Sequence, residues 1–371
     1  MRESFLKRIT DRAHAGLIIA TLALVGFGTL MVRSATTGMS GQDAMFNRHL
    51  LGVALGILPL VFLWLLDYQT LKAWTGPLMI ALGLLVLSPR IPGLGATAKG
   101  ATSWLEVFGV RLFQPSEPAK LLLIVVLAAV IAEFGGRIDK PRDALKVAGY
   151  AAVPLALILL QPDLGTGLVF VAIALAMLLV GGMKGRYFAV FGLVLALAAG
   201  IAVTTPVLKA YQRNRLLVFI DPSLDPRDAG YNLAQSKIAI GSGGLTGKGL
   251  GSGTQSNLNF IPERHTDFIF SVLGEQTGLV GALMLLGMYL ALLAAALSIS
   301  TSSRDLFGAL VAAGMIGMWL FQVLENIGMT VGLMPITGIP LPFMSYGASA
   351  MVTNLAGVGI LLSIWSRRYG T

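Results

Sequence analysis

The sequence of 371 residues has no cysteine, which excludes a disulfide framework, a thiol nucleophile and Cys-ligated zinc. It has only three histidines, well dispersed, so a classical zinc site is not expected either. Charge is scarce: Asp, Glu, Lys and Arg make up 12% of the chain, against roughly 25% in an ordinary soluble protein. With 55% hydrophobic residues, that scarcity excludes a soluble globule of this size. The net charge of +9 would by itself suggest a nucleic-acid partner. Here the basic residues lie beside apolar segments rather than in one solvated patch, so topology and lipid head groups account for them and no nucleic acid is expected.

What the chain does have is long apolar runs. They predict an all-α polytopic membrane protein with about ten helices: Ala15–Val32, Leu50–Leu66, Thr75–Ser88, Pro115–Phe134, Val147–Leu160, Leu164–Gly181, Tyr187–Val203, Asp267–Ser298, Leu306–Met329 and Ala348–Trp365. At about 20 residues per crossing these use roughly 200 positions. The remainder suffices for loops, so residues 1–371 are expected to form a single membrane domain with one large loop, about 204–266. The 45 glycines allow helices to approach closely.

Lys and Arg set the orientation. A cytoplasmic N-terminus places Arg2, Lys7, Arg8, Arg12, Lys72, Arg137, Lys140, Arg142, Lys146, Lys184, Arg186, Arg304, Arg367 and Arg368 inside. The short loops opposite then hold only Arg33, Arg48, Arg90, Lys99 and Arg111, so both termini are expected in the cytoplasm. The first helix is too long for a removable signal peptide and lacks a small-residue cleavage site.

Two outer regions depart from this plan. Residues 89–114 contain Trp104-Leu-Glu-Val-Phe-Gly-Val-Arg-Leu-Phe, expected to lie in the interface with Trp104 at head-group depth; a half-buried strand is the alternative. The loop 204–266 carries seven basic residues from Lys209 to Arg264 and a run of glycines from Gly241 to Gly253. Its hydrophobics Tyr231, Leu233, Ile238 and Ile240 predict partial order. The glycine run lacks the Gly-Lys-Ser/Thr of a P-loop, and a flexible loop is expected rather than a diphosphate cradle.

An ionisable residue within a bilayer helix costs several kcal/mol unless paired or hydrated, which marks such residues as functional candidates. Glu117 and Lys120, at i and i+3, share a helix face and can neutralise each other. They are open to two readings: a structural ion pair, or a site for an anionic head group served by Lys120. Asp163 follows Gln161-Pro, either as an N-cap or facing the same outer cavity. Asp267 stands where the long loop enters a helix, as a cap or as a carboxylate suited to take a proton from a sugar hydroxyl. Glu275 lies about two turns farther in and is either a paired structural acid or part of the site. Glu133 is expected to be solvated, and Glu325 has no partner legible in the sequence.

Several segments, in order, resemble the SEDS family (shape, elongation, division and sporulation). They are Phe113-Gln-Pro-Ser-Glu-Pro-Ala-Lys, Gln161-Pro-Asp-Leu-Gly-Thr, Gln235-Ser-Lys-Ile-Ala-Ile-Gly-Ser-Gly-Gly, Gly253-Thr-Gln-Ser, Pro262-Glu-Arg-His-Thr-Asp-Phe-Ile-Phe and Pro340-Leu-Pro-Phe-Met-Ser-Tyr-Gly. The resemblance runs from about Arg33 to Arg367, and Arg264 is more similar to the RodA branch than to the FtsW branch. Two positions depart from the family pattern: Ala348 where a second Gly is usual, and His49 where Gln is expected after Arg48.

The resemblance implies a peptidoglycan glycosyltransferase of the bacterial cytoplasmic membrane. It implies polymerisation of lipid II into a nascent glycan strand at the outer face, for cell elongation. A class B penicillin-binding protein is implied as transpeptidase partner, alongside other elongation-complex membrane proteins. Asp267 occupies the family's catalytic aspartate position. The residues expected to bind substrate are Trp104, Arg48, Glu117, Lys120, Asp163, Arg213, Arg215, Arg264 and Glu275. Of these, Lys120, Arg213, Arg215 and Arg264 are the candidates for diphosphate charge, and a divalent cation (Mg or Mn) is an open alternative. The rival reading is a lipid II flippase, although carboxylates and a long loop gathered on one side do not suit alternating access.

Overall fold

In hydrocarbon every backbone donor and acceptor must find its partner within its own segment, so the apolar runs form helices. The structure is a computed structural model that describes residues 13–98, 101–107, 110–161, 163–204, 213, 215, 217–219, 221, 224–225, 229–258 and 260–369. Its helices are α1 (Ala15–Thr36), α2 (Gln42–Leu65), α3 (Tyr68–Ala73), α4 (Thr75–Leu87), α5 (Ser116–Ala132), α6 (Pro141–Leu160) and α7 (Leu164–Val180). They continue as α8 (Gly185–Thr204), α9 (Ala229–Ser242), α10 (Thr254–Asn257), α11 (Ile269–Thr301), α12 (Leu306–Val331) and α13 (Ala348–Ser366). Six of them, α1, α2, α6, α11, α12 and α13, are long and apolar enough to cross a membrane; α4 and α7 are shorter apolar helices. The fold is a helical, multi-pass membrane architecture, as the apolar pattern predicts.

Two boundaries differ from expectation in ways that matter. The helix expected from Leu50 begins at Gln42, so Arg48 and His49 are helical. The helix expected from Asp267 begins at Ile269, leaving Asp267 in the preceding turn. Helix α11 is also broken at Gly278 (φ 64, ψ −159), which separates a short outer piece carrying Glu275 from the long apolar span.

Three strands form an antiparallel sheet in the order β1 (Gly95–Ala98), β2 (Ala101–Val107), β3 (Val110–Phe113). Trp104 pairs with Ala96, and Leu105 pairs with both Gly95 and Phe113. The interfacial amphipathic segment expected around Trp104 is thus corrected to the strand alternative. The sheet satisfies the backbone groups that a single strand would leave open.

Helices α12 and α13 are the centre, with 72% and 78% of their spans buried; α2 and α6, at 17% each, face lipid. Glycines set the close approaches. A β-carbon on Gly359 of α13 would stand 2.9 Å from the Leu60 Cα of α2. The departures from the family pattern fit this packing: Ala348 seats against Gly52, where an added β-carbon would be 2.8 Å from the Ala348 Cα. His49 is buried, with its Nε2 3.4 Å from the Thr29 hydroxyl and its ring stacked on Tyr346.

The loop expected to be partly ordered contains α9, whose Leu233 and Ala239 are buried. The glycine run is packed rather than flexible. A β-carbon at Gly243 would stand 3.1 Å from the Glu275 Cα, and one at Gly247 2.5 Å from the Thr277 nitrogen, so only glycine lets this segment lie on the α11 backbone at its break.

Candidate active site

Asp267 sits in a turn whose carbonyls are not taken up by helix bonds, and neighbouring segments supply the donors. The Tyr346 amide donates to the His265 carbonyl (2.9 Å), the Ser345 hydroxyl to the Thr266 carbonyl (2.7 Å), and the Asn326 Nδ2 to the Asp267 carbonyl (2.9 Å). The same Asn326 nitrogen donates to the Ile339 carbonyl at 2.8 Å. The N-cap of α11 is Phe268, with no side-chain cap bond. Asp267 is therefore not the N-cap residue, and it is half-buried.

The loop between α12 and α13 brings the second half of the site. It leaves α12 at Gly332 (φ 82), turns at Gly338 (φ 76) and holds Phe343 at φ 62, a left-handed conformation unusual for an aromatic residue. The Tyr289 hydroxyl fixes this bend by donating to the Pro342 carbonyl at 2.6 Å. Thr337, Gly338 and Ile339 form one wall of a cavity of about 40 Å³ that is also lined by Glu117, Lys120 and Asp163.

Within that cavity Lys120 Nζ lies 2.8 Å from the Glu117 carboxylate, both side chains being buried. Asp163 accepts from the Thr166 amide (3.0 Å) and hydroxyl (2.9 Å), so it caps α7 and lines the cavity at once. Gly338 adjoins both this group and Asp267. A β-carbon on Gly338 would stand 3.3 Å from the Asp267 Oδ2 and 3.9 Å from the Arg215 Nη1. Glu325, the acid with no partner legible in the sequence, accepts from the Thr337 hydroxyl behind the same wall.

Four expected binders are placed elsewhere. Arg264 is buried, and donates through Nε to the Ala35 carbonyl (2.7 Å) and through Nη2 to the Thr37 carbonyl (3.2 Å), locking the outer end of α1. Glu275 is fully buried and corrects to a loop anchor. Its carboxylate takes the Gln255 amide (2.8 Å), the Ser256 amide (3.1 Å), the Ser256 hydroxyl (2.8 Å) and Lys248 (3.0 Å). The Glu275 carboxylate is thus surrounded by donors, and the buried Arg264 guanidinium is turned to backbone carbonyls. Arg48 is exposed on α2, and Trp104 is half-buried on β2; neither lines the cavity. Arg213 is exposed and Arg215 half-buried, and of the two Arg215 is the one placed at Gly338.

The residues not anticipated are Asn326, Thr337, Gly338 and Ser345. Asn326 carried a legible signal, a polar side chain in an apolar span beside Glu325. The others act through partners far away in the chain. Among the described residues no three His, Asp or Glu side chains converge.

The sequence model of the FtsW/RodA/SpoVE cell cycle proteins matches residues 15–369. The chain belongs to this family. Among its SEDS relatives, the peptidoglycan glycosyltransferase MrdB of Escherichia coli strain K12 is 39% identical over 370 residues, covering 98% of this chain and 96% of that one. A chain of a solved peptidoglycan synthase complex, described as coordinating polymerization and crosslinking, superposes with a TM-score of 0.80 at 34% identity, covering 96% of this chain and 98% of that one. The rod shape determining protein RodA of Thermus thermophilus does so with a TM-score of 0.72 at 30% identity, covering 96% and 97%. The SEDS resemblance and its RodA branch are thereby established, as is a multi-pass inner-membrane location.

Proposed function

We propose that this SEDS protein is a peptidoglycan glycosyltransferase that polymerises lipid II at the outer face of the cytoplasmic membrane. The observation that carries the reading is that Gly338, which lines the cavity of the buried Glu117–Lys120 pair, also lies against the Asp267 carboxylate. The relatives named as peptidoglycan glycosyltransferases support the reaction class.

The donor sugar carries a lipid diphosphate at its anomeric carbon, already a good leaving group, so one carboxylate base suffices where glycosidases commonly use an acid and a base. Asp267 takes the proton of the acceptor sugar hydroxyl as the hydroxyl oxygen forms the new bond to the anomeric carbon with inversion. The carbon–oxygen bond to the diphosphate breaks and its electrons stay on the phosphate. Arg215, near Asp267 at Gly338, and Lys120, in the adjoining cavity, would meet that charge. A cavity of about 40 Å³ holds a few water molecules rather than a sugar ring, so the sugars lie over its mouth.

The transpeptidase partner is a class B penicillin-binding protein, a reading supported by similarity to a chain of the synthase complex. Its contacts would fall on the lipid-facing helices and outer loops. Purified protein given labelled lipid II tests the whole: glycan ladders are expected. Translocation of head groups across vesicles with no polymer would instead identify a flippase.

A further inference from the structure

Three consecutive carbonyls, those of His265, Thr266 and Asp267, are each held by a donor from the α12–α13 region. The first two donors, the Tyr346 amide and the Ser345 hydroxyl, come from the loop itself. The third comes from a helix. Asn326 lies one turn from the outer end of α12, fully buried in the most enclosed part of the fold. Both oxygens facing its side-chain terminus are carbonyls, at 2.9 Å and 2.8 Å, so the atom between them must be the amide nitrogen.

The two carbonyls belong to different walls of the site. One is that of Asp267 itself. The other, Ile339, follows Gly338, which adjoins both Asp267 and the Glu117–Lys120–Asp163 cavity. Among the described residues, Asn326 is the only side chain bonded to both backbones. Its neighbour Glu325 holds Thr337 on the same wall, so the last turns of α12 act as a rigid template for both strands of the site.

We infer that Asn326 is a positioning residue for the glycosyl transfer, setting the distance between the Asp267 carboxylate and the cavity wall. This rests on the glycosyltransferase reading above. A carbonyl released from Asn326 lets the Asp267 backbone rotate, and a shift of about 1 Å in a reacting group can cost on the order of 10²-fold in rate. Binding of lipid II is carried by other groups and is unaffected.

The test compares wild type, Asn326→Leu, Asn326→Ser and Trp319→Phe in detergent, with kcat and KM for lipid II and a thermal melt of each. Leu keeps the volume and removes both bonds; Ser keeps a single donor. Trp319→Phe removes a buried hydrogen bond of the same helix, the 2.8 Å bond to Asn354, while keeping an aromatic ring against Phe343 of the α12–α13 loop. The expected result is a kcat of Asn326→Leu reduced at least tenfold with KM within about twofold, Asn326→Ser in between, and Trp319→Phe equally destabilised with normal kcat. If the Leu variant does not fold, the Ser variant alone decides, a reduced kcat at unchanged KM supporting the inference. Normal kcat per folded molecule in a variant of Asn326, or a loss matched by Trp319→Phe at equal melting temperature, overturns it. A wild type that makes no polymer overturns the glycosyltransferase reading and this inference with it. A wild type that polymerises beside an equally active Asn326→Leu overturns the inference alone.

Discussion

Gly338 stands against Asp267 so closely that a β-carbon on it would lie 3.3 Å from the carboxylate Oδ2. At φ 76 it also occupies a backbone conformation that an L side chain resists. Both facts favour glycine, and they can be separated. Gly338→Ala should cost about 1–2 kcal/mol in strain. Gly332→Ala, at φ 82 beside the flexible end of Lys237, should cost the same. Melts are expected to fall alike in the two variants, while only Gly338→Ala lowers polymer yield per folded molecule, by about tenfold or more. Equal activities would mean that crowding of Asp267 is harmless.

Asp267→Asn keeps size and hydrogen-bonding capacity and removes the base. Because α11 is not capped by Asp267, the fold should be nearly unaffected. Glycan synthesis should fall by the 10²–10⁴ typical of a general base, with lipid II binding retained. Near-normal ladders from a well-folded variant would remove Asp267 from the chemistry and return attention to the cavity acids Glu117 and Asp163.

The Glu117–Lys120 pair is buried, so removing one partner strands a charge. Lys120→Ala should destabilise by roughly 3–5 kcal/mol and abolish polymerisation. Exchanging the two residues restores neutrality. That double variant should melt near wild type and still polymerise poorly, because the cation facing the cavity has moved by about one helical turn. Full activity on exchange would make the pair purely structural.

Glu275→Gln tests the loop anchor. A carboxylate oxygen serves each of the Gln255 and Ser256 amides, and an amide side chain can serve only one of them. The loss should be about 1–3 kcal/mol, confined to residues 244–258. Faster hydrogen exchange or proteolysis there is expected, with activity reduced far less than in Asp267→Asn. Protection unchanged across that stretch would show that the glycine packing on α11 holds the loop without Glu275.

Much of this protein was legible without coordinates. The apolar runs predict α1, α4, α5, α7, α8, α12 and α13 within a few residues, because a crossing needs a set length of apolar side chains whatever lies around it. Glu117 and Lys120 announce each other by spacing alone, since i and i+3 meet on any helix. Asp163 and Asp267 were visible as carboxylates beside membrane helices, though not which of them caps one. The sheet at Trp104 was less clear, because ten alternating residues suit an interfacial segment and a strand equally until their pairing partners are known.

Chain order by itself determined the membrane class, the position of most apolar helices and the family through its motifs. Only the tertiary structure decided which polar groups are spent on the scaffold and which face the cavity. Arg264 and Glu275 look like substrate ligands in sequence, and both are consumed by backbone groups at the outer end of α1 and in the glycine-rich loop. Asn326 looks like one more polar residue in a span, and it joins the backbones of Asp267 and Ile339. Length, hydropathy and charge are properties of a segment, and the bilayer acts on them directly. A hydrogen-bond partner is a property of two segments, set by how α5, α7, α11 and α12 pack against one another, and no local pattern carries that register.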